Sequence, residues 1–213
     1  MAQTEYEAIC RYVGNLVGEG DRLQQWVLEQ SDALRDQGVM PIDPTRGRFL
    51  ELIARLRAPR KVLEIGSGAG YSALWFMKGM GRKGTLDAIE GNGAVIEVLR
   101  TVVEKAGFAR RIKIHQGPAL QVLRKMHGPY DIVFIDADKD EYPAYLENAF
   151  GCTKAGCLII ADNMFWGGAT VLKRNRRGVE GIIEYTRRIF ADSRLSSIII
   201  PLGDGLALSH RIR

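Results

Sequence analysis

From residue 60 onward the apolar positions come in short runs, each followed by a longer stretch in which they recur every three or four residues. The runs "KVLEI" (61–65), "GTLDAIE" (84–90), "RIKIHQG" (111–117), "YDIVFID" (130–136) and "GCLIIAD" (156–162) read as strands. The stretches between them, roughly 70–80, 93–106, 118–127 and 140–150, read as helices, and a further helix is predicted over 178–191. The chain closes on "SSIIIPLGDGLALSHR" (196–211), two strands around a short Gly-Asp-Gly turn. Strands alternating with helices predict an α/β fold, a parallel sheet covered on both faces, and the closing hairpin adds one antiparallel strand. Ahead of this the first 37 residues look helical, with Ile9, Val13, Leu16 and Val17 on one face and Leu23, Trp26, Val27 and Leu34 on another. "MPIDPTRGRFLELIARLRAP" (40–59) reads as a loop and a helix. Asp43 is its N-cap, Pro44 takes the first helical position, Phe49, Leu50, Ile53 and Leu56 form the buried stripe, and Pro59 stops it. No internal boundary appears, so 1–213 is expected to be one domain with residues 1–40 as an N-terminal helical cap.

Composition narrows the class without naming it. Of 213 residues, 46% are apolar and 26% charged, ordinary values for a water-soluble domain. No apolar stretch reaches membrane-spanning length, and "MAQTEYEAIC" lacks the features of a secretory signal, so no membrane partner is expected. Cys10, Cys152 and Cys157 lack metal-site spacing and read as reduced thiols of a cytoplasmic protein. The net charge of +5 is partly local, in "RRIK" (110–113) and "KRNRR" (173–177). These segments read first as a strand entry and a solvated loop, and second as a surface for RNA or a phosphorylated carrier. His115, His127 and His210 have no candidate ligand beside them in sequence and read as surface or strand-end residues.

Two constellations carry chemistry. In "VLEIGSGAGYSAL" (62–74), Gly66, Gly68 and Gly70 permit a tight strand-to-helix turn and close approach of a ligand to the backbone. The spacing is G-x-G-x-G rather than the G-x-G-x-x-G of dinucleotide enzymes. Glu64 sits inside the strand end, where a carboxylate is costly without a positively charged partner. Glu90 ends the next strand, where a ribose-binding carboxylate belongs in this architecture. Together they favour S-adenosylmethionine over NAD. The second constellation is the carboxylate cluster of "FIDADKDEY" and "CLIIADN". Asp136, Asp162 and Asn163 end two buried strands and offer hard oxygens suited to Mg²⁺. Asp138 and Asp140 read as helix caps. Lys139, beside a divalent cation, would be disfavoured as an ammonium and could serve as a base.

The segments "VLEIGSGAGYS", "AIE", "FIDADKDEY", "IIADNMFWGG" and "LGDGLALS", in this order and spacing, resemble the small cation-dependent class I O-methyltransferases of the catechol and caffeoyl-CoA type. The resemblance runs from about Met40 to Arg211. It implies a Rossmann-like seven-stranded sheet with an antiparallel last strand, and a homodimer. It implies cofactor contacts at Ile42, Glu64, Gly66, Ser67, Gly68, Ser72, Glu90, Gly117, Ala119 and Asp136. Asp136, Asp162 and Asn163 would hold Mg²⁺, Mn²⁺ or Ca²⁺, Lys139 would be the catalytic base or orienting group, and Met40 and Trp166 would flank the substrate. The expected reaction is metal-dependent methyl transfer to a hydroxyl of a catechol-like, vicinal-dihydroxy phenolic molecule. A tRNA 5-hydroxyuridine is the alternative acceptor, motivated by the basic loop. A nicotinamide-dependent oxidoreductase or a non-catalytic nucleotide-binding module is the alternative from another class. "GPA" (117–119) and Gly91-Asn92 depart from the usual pattern on the adenosine side.

Overall fold

In the computed structural model, which describes residues 3–213, the predicted alternation becomes one seven-stranded sheet. β1 (Lys61–Ile65), β2 (Thr85–Glu90), β3 (Ile112–Gln116), β4 (Tyr130–Ile135) and β5 (Thr153–Ala161) run parallel. β6 (Leu195–Ile200) and β7 (Leu206–Arg211) form the closing hairpin. The spatial order is β3-β2-β1-β4-β5-β7-β6, with β7 antiparallel to both β5 and β6. The chain therefore works outward from β1 to β3 and returns to lay β4 on the other side of β1. The crevice beyond the carboxyl ends of β1 and β4 is where an open sheet of this kind receives ligands.

Side chains alternate across each strand, so every central strand feeds two cores. Val62, Leu86, Ala88, Phe134 and Ile160 pack under α2 (Arg22–Ala33), α3 (Pro44–Arg57), α4 (Tyr71–Gly79) and α5 (Gly93–Lys105). Leu63, Ile65, Ile89, Val133 and Ile159 pack under α6 (Ala119–Leu123), α7 (Tyr142–Gly151) and α8 (Val179–Ala191). Among the described residues, no helix is long and apolar enough to cross a membrane.

The departures from the expected pattern are local. The N-terminal helical region is broken between α1 (Gln3–Val17) and α2, where Gly18 and Gly20 take positive φ and Asp21 with Gln24 forms a capping box. Val27 is fully buried, but Ile9 and Leu16 of the first predicted face are exposed. Asp43 caps α3 by accepting the Arg46 N–H at 3.0 Å, with Pro44 in the first turn, as expected. Leu50 is buried, whereas Leu56 is 73% exposed, so the predicted stripe is wrong at its end. The reason is the closeness of α3 to α4: a Cβ at Gly47 would overlap the Trp75 indole, and one at Gly79 would overlap the Glu51 backbone. Gly47, Leu50, Glu51 and Ala54 therefore make the buried face. α6 is shorter than the predicted 118–127, and turns fill the remainder.

Candidate active site

The donor-side half of the crevice is built by the turn after β1. Gly66 (φ +86°) admits no side chain, because a Cβ there would overlap the carbonyl oxygen of Asp136 at the tip of β4. The N–H groups of Gly66 and Ser67 both donate to the Ile89 carbonyl at 3.0 Å, which ties the turn to β2. Glu90 then receives three backbone N–H groups: Gly68 at 3.0 Å on one oxygen, Gly91 at 2.8 Å and Asn92 at 2.9 Å on the other. The Gly117 N–H donates to the Glu90 carbonyl at 3.0 Å, which brings the turn before α6, with Ala119, to the same place. Glu64 differs from Glu90. It is fully buried, and neither of its oxygens makes a hydrogen bond of good geometry. Burial pushes its carboxyl up to about 7, and the nearby Ser72 and Ser67 hydroxyls offset only part of that. The Ser67 hydroxyl is itself buried and makes no hydrogen bond of good geometry. An orphaned acid beside a glycine turn fits a ligand that brings its own positive charge and hydrogen-bond donors.

The other half is carried by β4 and β5. Their pairing sets Ile135 opposite Ala161, so Asp136 and Asp162 leave adjacent strand tips side by side. The Asp136 N–H donates to the Ile65 carbonyl at 2.9 Å and the Asp162 N–H to the Ile135 carbonyl at 3.0 Å, which fixes both backbones. Asp162 is fully buried. Burial, and then the neighbouring Asp136 charge, push its carboxyl up to about 6 against the pull of Arg46. Asn163 follows in the left-handed region (φ +61°), a conformation asparagine tolerates, and its amide Nδ2 lies 3.4 Å from Asp204 Oδ2. Two carboxylates and an amide oxygen on adjacent strand tips are a hard-oxygen set of the kind that holds Mg²⁺. Among the described residues no three His, Cys, Asp or Glu side chains are grouped so as to hold a metal, so a metal site here would need the Asn163 amide as well as the two carboxylates.

Lys139 is buried at the start of the turn before α7, its Nζ 2.8 Å from Asp136 Oδ1 and its charge over the rings of Tyr142 (4.9 Å) and Trp166 (5.4 Å). It does not pair with Asp140. Asp138 caps its own turn, accepting the Asp140 N–H at 3.1 Å, and Asp140 accepts the Gly178 N–H at the start of α8 at 2.9 Å. Both also hold Arg177, at 2.7 and 3.0 Å. Half of the "KRNRR" loop is thus spent on structure: Arg177 binds this turn, and Arg176 stacks 4.2 Å over Trp166 and donates to its carbonyl. Lys173 and Arg174 stay exposed. Trp166 (φ +49°) donates its indole N–H to the Arg177 carbonyl at 2.7 Å. Ile42 is buried in the core under α3, while Met40 is 65% exposed.

Three residues of this site escape a reading of the sequence. Asp204, in what reads as a plain hairpin turn, accepts the Gly167 N–H at 2.8 Å and faces Asn163. Tyr142 is fully buried, its hydroxyl 3.1 Å from the Asp162 carbonyl oxygen. Arg46 lies 2.5 Å from Asp162 across 116 positions of sequence. No local pattern announces such contacts; the only hint is that Arg46 follows the Asp43 cap by one helical turn.

With this geometry in place, comparison with known proteins is informative. The family model described as O-methyltransferase matches residues 21–212. Caffeoyl-CoA O-methyltransferase 3 of Nicotiana tabacum is 32% identical to this chain, covering 91% of it and 92% of the relative. Catechol O-methyltransferase of Niastella koreensis is 29% identical, covering 96% of each. The crystal structure of the O-methyltransferase from Bacillus cereus in complex with SAH superposes with a TM-score of 0.87 at 29% identity, covering 96% of this chain and 97% of that one.

Proposed function

The chain belongs to the O-methyltransferase family and is a S-adenosylmethionine-dependent O-methyltransferase of the caffeoyl-CoA and catechol type, and from that premise we propose that it methylates one hydroxyl of a vicinal-dihydroxy phenol with the help of a divalent cation, Mg²⁺ foremost. The observation that carries this reading is the pairing of Asp136 and Asp162 on adjacent strand tips, with Asn163 and the buried Lys139 beside them. The family sets aside the nicotinamide and non-catalytic readings.

Asp136, Asp162 and Asn163 are the residues that would hold the ion, and what it supplies when bound is a Lewis acid that lowers the pKa of an acceptor hydroxyl. Lys139 stands within reach of the same place and is the group we assign to receive or steer the hydroxyl proton at Nζ. Its neighbours Tyr142 and Trp166 shield that amine from water on two sides. The donor's methionyl and ribose ends belong to the turn after β1. Glu64 suits its amino group, Glu90 its sugar hydroxyls, and Gly66, Ser67, Gly68 and Ser72 the intervening backbone, with Ile42, Gly117, Ala119 and Asp136 bounding the rest. Held there, the donor's methyl group is oriented rather than activated by the protein, and orientation alone accounts for several kcal/mol in reactions of this type. Met40 and Trp166 are assigned to the acceptor's flanks.

The test is a screen of the purified chain with labelled methyl donor and Mg²⁺, with and without EDTA, against caffeate, caffeoyl-CoA and total tRNA. Methylation of caffeate or its thioester that EDTA abolishes is the expected result. Full turnover in metal-free buffer refutes the metal assignment. Transfer to tRNA with affinity falling steeply in salt would instead favour the second reading, which the exposed Lys173 and Arg174 support.

We also assign the chain to a homodimer in the cytoplasm. Tyr12, Leu16, Leu52 and Leu56 leave apolar side chains exposed on the neighbouring helices α1 and α3, and the three thiols are unpaired. Light scattering of the purified protein checks the stoichiometry.

A further inference from the structure

Arg46 is held more tightly than a surface cation of a helix. Its Nη1 lies 2.5 Å from Asp162 Oδ2 and its Nε 2.7 Å from Asp43 Oδ2, with only 12% of the side chain exposed. Asp43 is fixed in turn by capping α3, and Asp162 by the strand tip. The β6–β7 turn closes over the guanidinium: a Cβ at Gly203 would come within 2.6 Å of Arg46 Nε. A guanidinium so placed cannot lose its proton and has little room to swing away. Asp136 likewise carries Lys139 on one oxygen. Each carboxylate assigned above to the divalent ion therefore already bears a cation of the protein.

We propose that Arg46 is a built-in antagonist of the divalent ion: it holds Asp162 in place when the ion is absent, and its fixed charge weakens the ion's binding when it is present. This inference rests on the metal-assisted reading. The physical reason is that the Asp162 carboxylate, fully buried beside Asp136, is costly to leave as an unpaired charge, and Arg46 lies against it. Without Arg46 that pairing falls to the metal alone. With it, the crevice survives metal loss, and a dication approaching the free lone pairs of Asp162 meets a positive charge already in residence. The outcome is an exchangeable ion rather than a permanent one.

The experiment measures Mn²⁺ binding by the loss of the free-ion electron-spin signal, on the whole chain with neither methyl donor nor acceptor present. Arg46→Gln and Arg46→Met remove the charge, and the methionine keeps most of the volume. Arg46→Lys keeps the charge, and Asp162→Asn reports whether the ion is at this site. Both neutral variants should bind Mn²⁺ about tenfold tighter than the wild type, the effect expected from removing one positive charge beside the site. They should also gain more in thermal midpoint on saturation with Mn²⁺, while Arg46→Lys stays near the wild type. A neutral variant that folds only with Mn²⁺ present is the extreme form of the same result. If the wild type binds Mn²⁺ through Asp162 and both neutral variants bind it equally or more weakly, the inference is overturned and the metal reading stands. If neither the wild type nor any variant binds Mn²⁺, both fall together.

Discussion

The two halves of the crevice meet their buried and half-buried carboxylates in opposite ways. On the β1–β2 side, Glu90 is satisfied by three backbone N–H groups, whereas Glu64 has only the nearby Ser72 and Ser67 hydroxyls and no hydrogen bond of good geometry. On the β4–β5 side, both aspartates are met by side-chain cations, Asp136 by Lys139 and Asp162 by Arg46. The first half is a fixed backbone cradle with one uncompensated acid. On the reading proposed above, a ligand with its own positive charge would relieve Glu64 as a proton does. In the second half each aspartate already has a side-chain cation against it, Arg46 being shared with Asp43. A cation entering there would have to share or displace a resident one, which is the basis of the exchange and proton transfer proposed above.

The largest test of that contrast is Lys139→Ala. Removing the proposed proton acceptor should lower turnover by about 10²–10⁴-fold while leaving methyl-donor affinity, measured by calorimetry, unchanged. A variant retaining most of its turnover would show that the second half does no proton chemistry. Next is Gly66→Ala, at the point where the halves touch. The added Cβ meets the Asp136 carbonyl in a backbone region unfavourable to alanine, and a loss of about 2–4 kcal/mol in a urea melt is expected. No loss would mean that the two strand tips are less tightly joined than described.

Glu64→Gln sharpens the first half through pH. Its carboxyl rises from the ordinary 4.5 to about 7 in the fold, so the native state binds the proton more tightly than the unfolded chain does. The stability this confers is complete below about 4.5 and lost as the pH climbs through about 7, a swing on the order of 3 kcal/mol at most. Glutamine should flatten that part of the ligand-free stability profile, leaving the share that Asp162, displaced in the same direction, contributes. It should also cost about tenfold or more in donor affinity at pH 8, the value of a charge-assisted hydrogen bond. A profile identical to the wild type would remove Glu64 from the donor site. Smallest is Asp204→Ala. The loss of one N–H acceptor and a long contact to Asn163 should cost about 1 kcal/mol in stability and only slightly weaken Mn²⁺ binding.

Strand periodicity, turn glycines and capping residues act over a few positions, and they were enough to place β1 to β7, the Gly66 turn, the Asp43 cap and the strand tips bearing Asp136 and Asp162. They failed where a neighbour from elsewhere decided the outcome. Leu56 has the spacing of a buried residue and lies exposed, because the α3–α4 contact is set by two glycines and an indole. "KRNRR" reads as a uniform basic patch, yet Arg176 and Arg177 are bound to Trp166, Asp138 and Asp140, and the exposed Lys173 and Arg174 remain.

By itself the sequence determined the kind of sheet and which residues stand at the carboxyl ends of its strands, since both follow from residue type and local spacing. Only the tertiary structure decided which charges meet. Arg46 reaches Asp162 over 116 residues, Asp204 comes under Asn163 from the last hairpin, and Glu64 is left without a cation or a hydrogen bond of good geometry. The physical reason is that an ion pair or its absence depends on distance and burial in space, and neither is encoded in the neighbours along the chain.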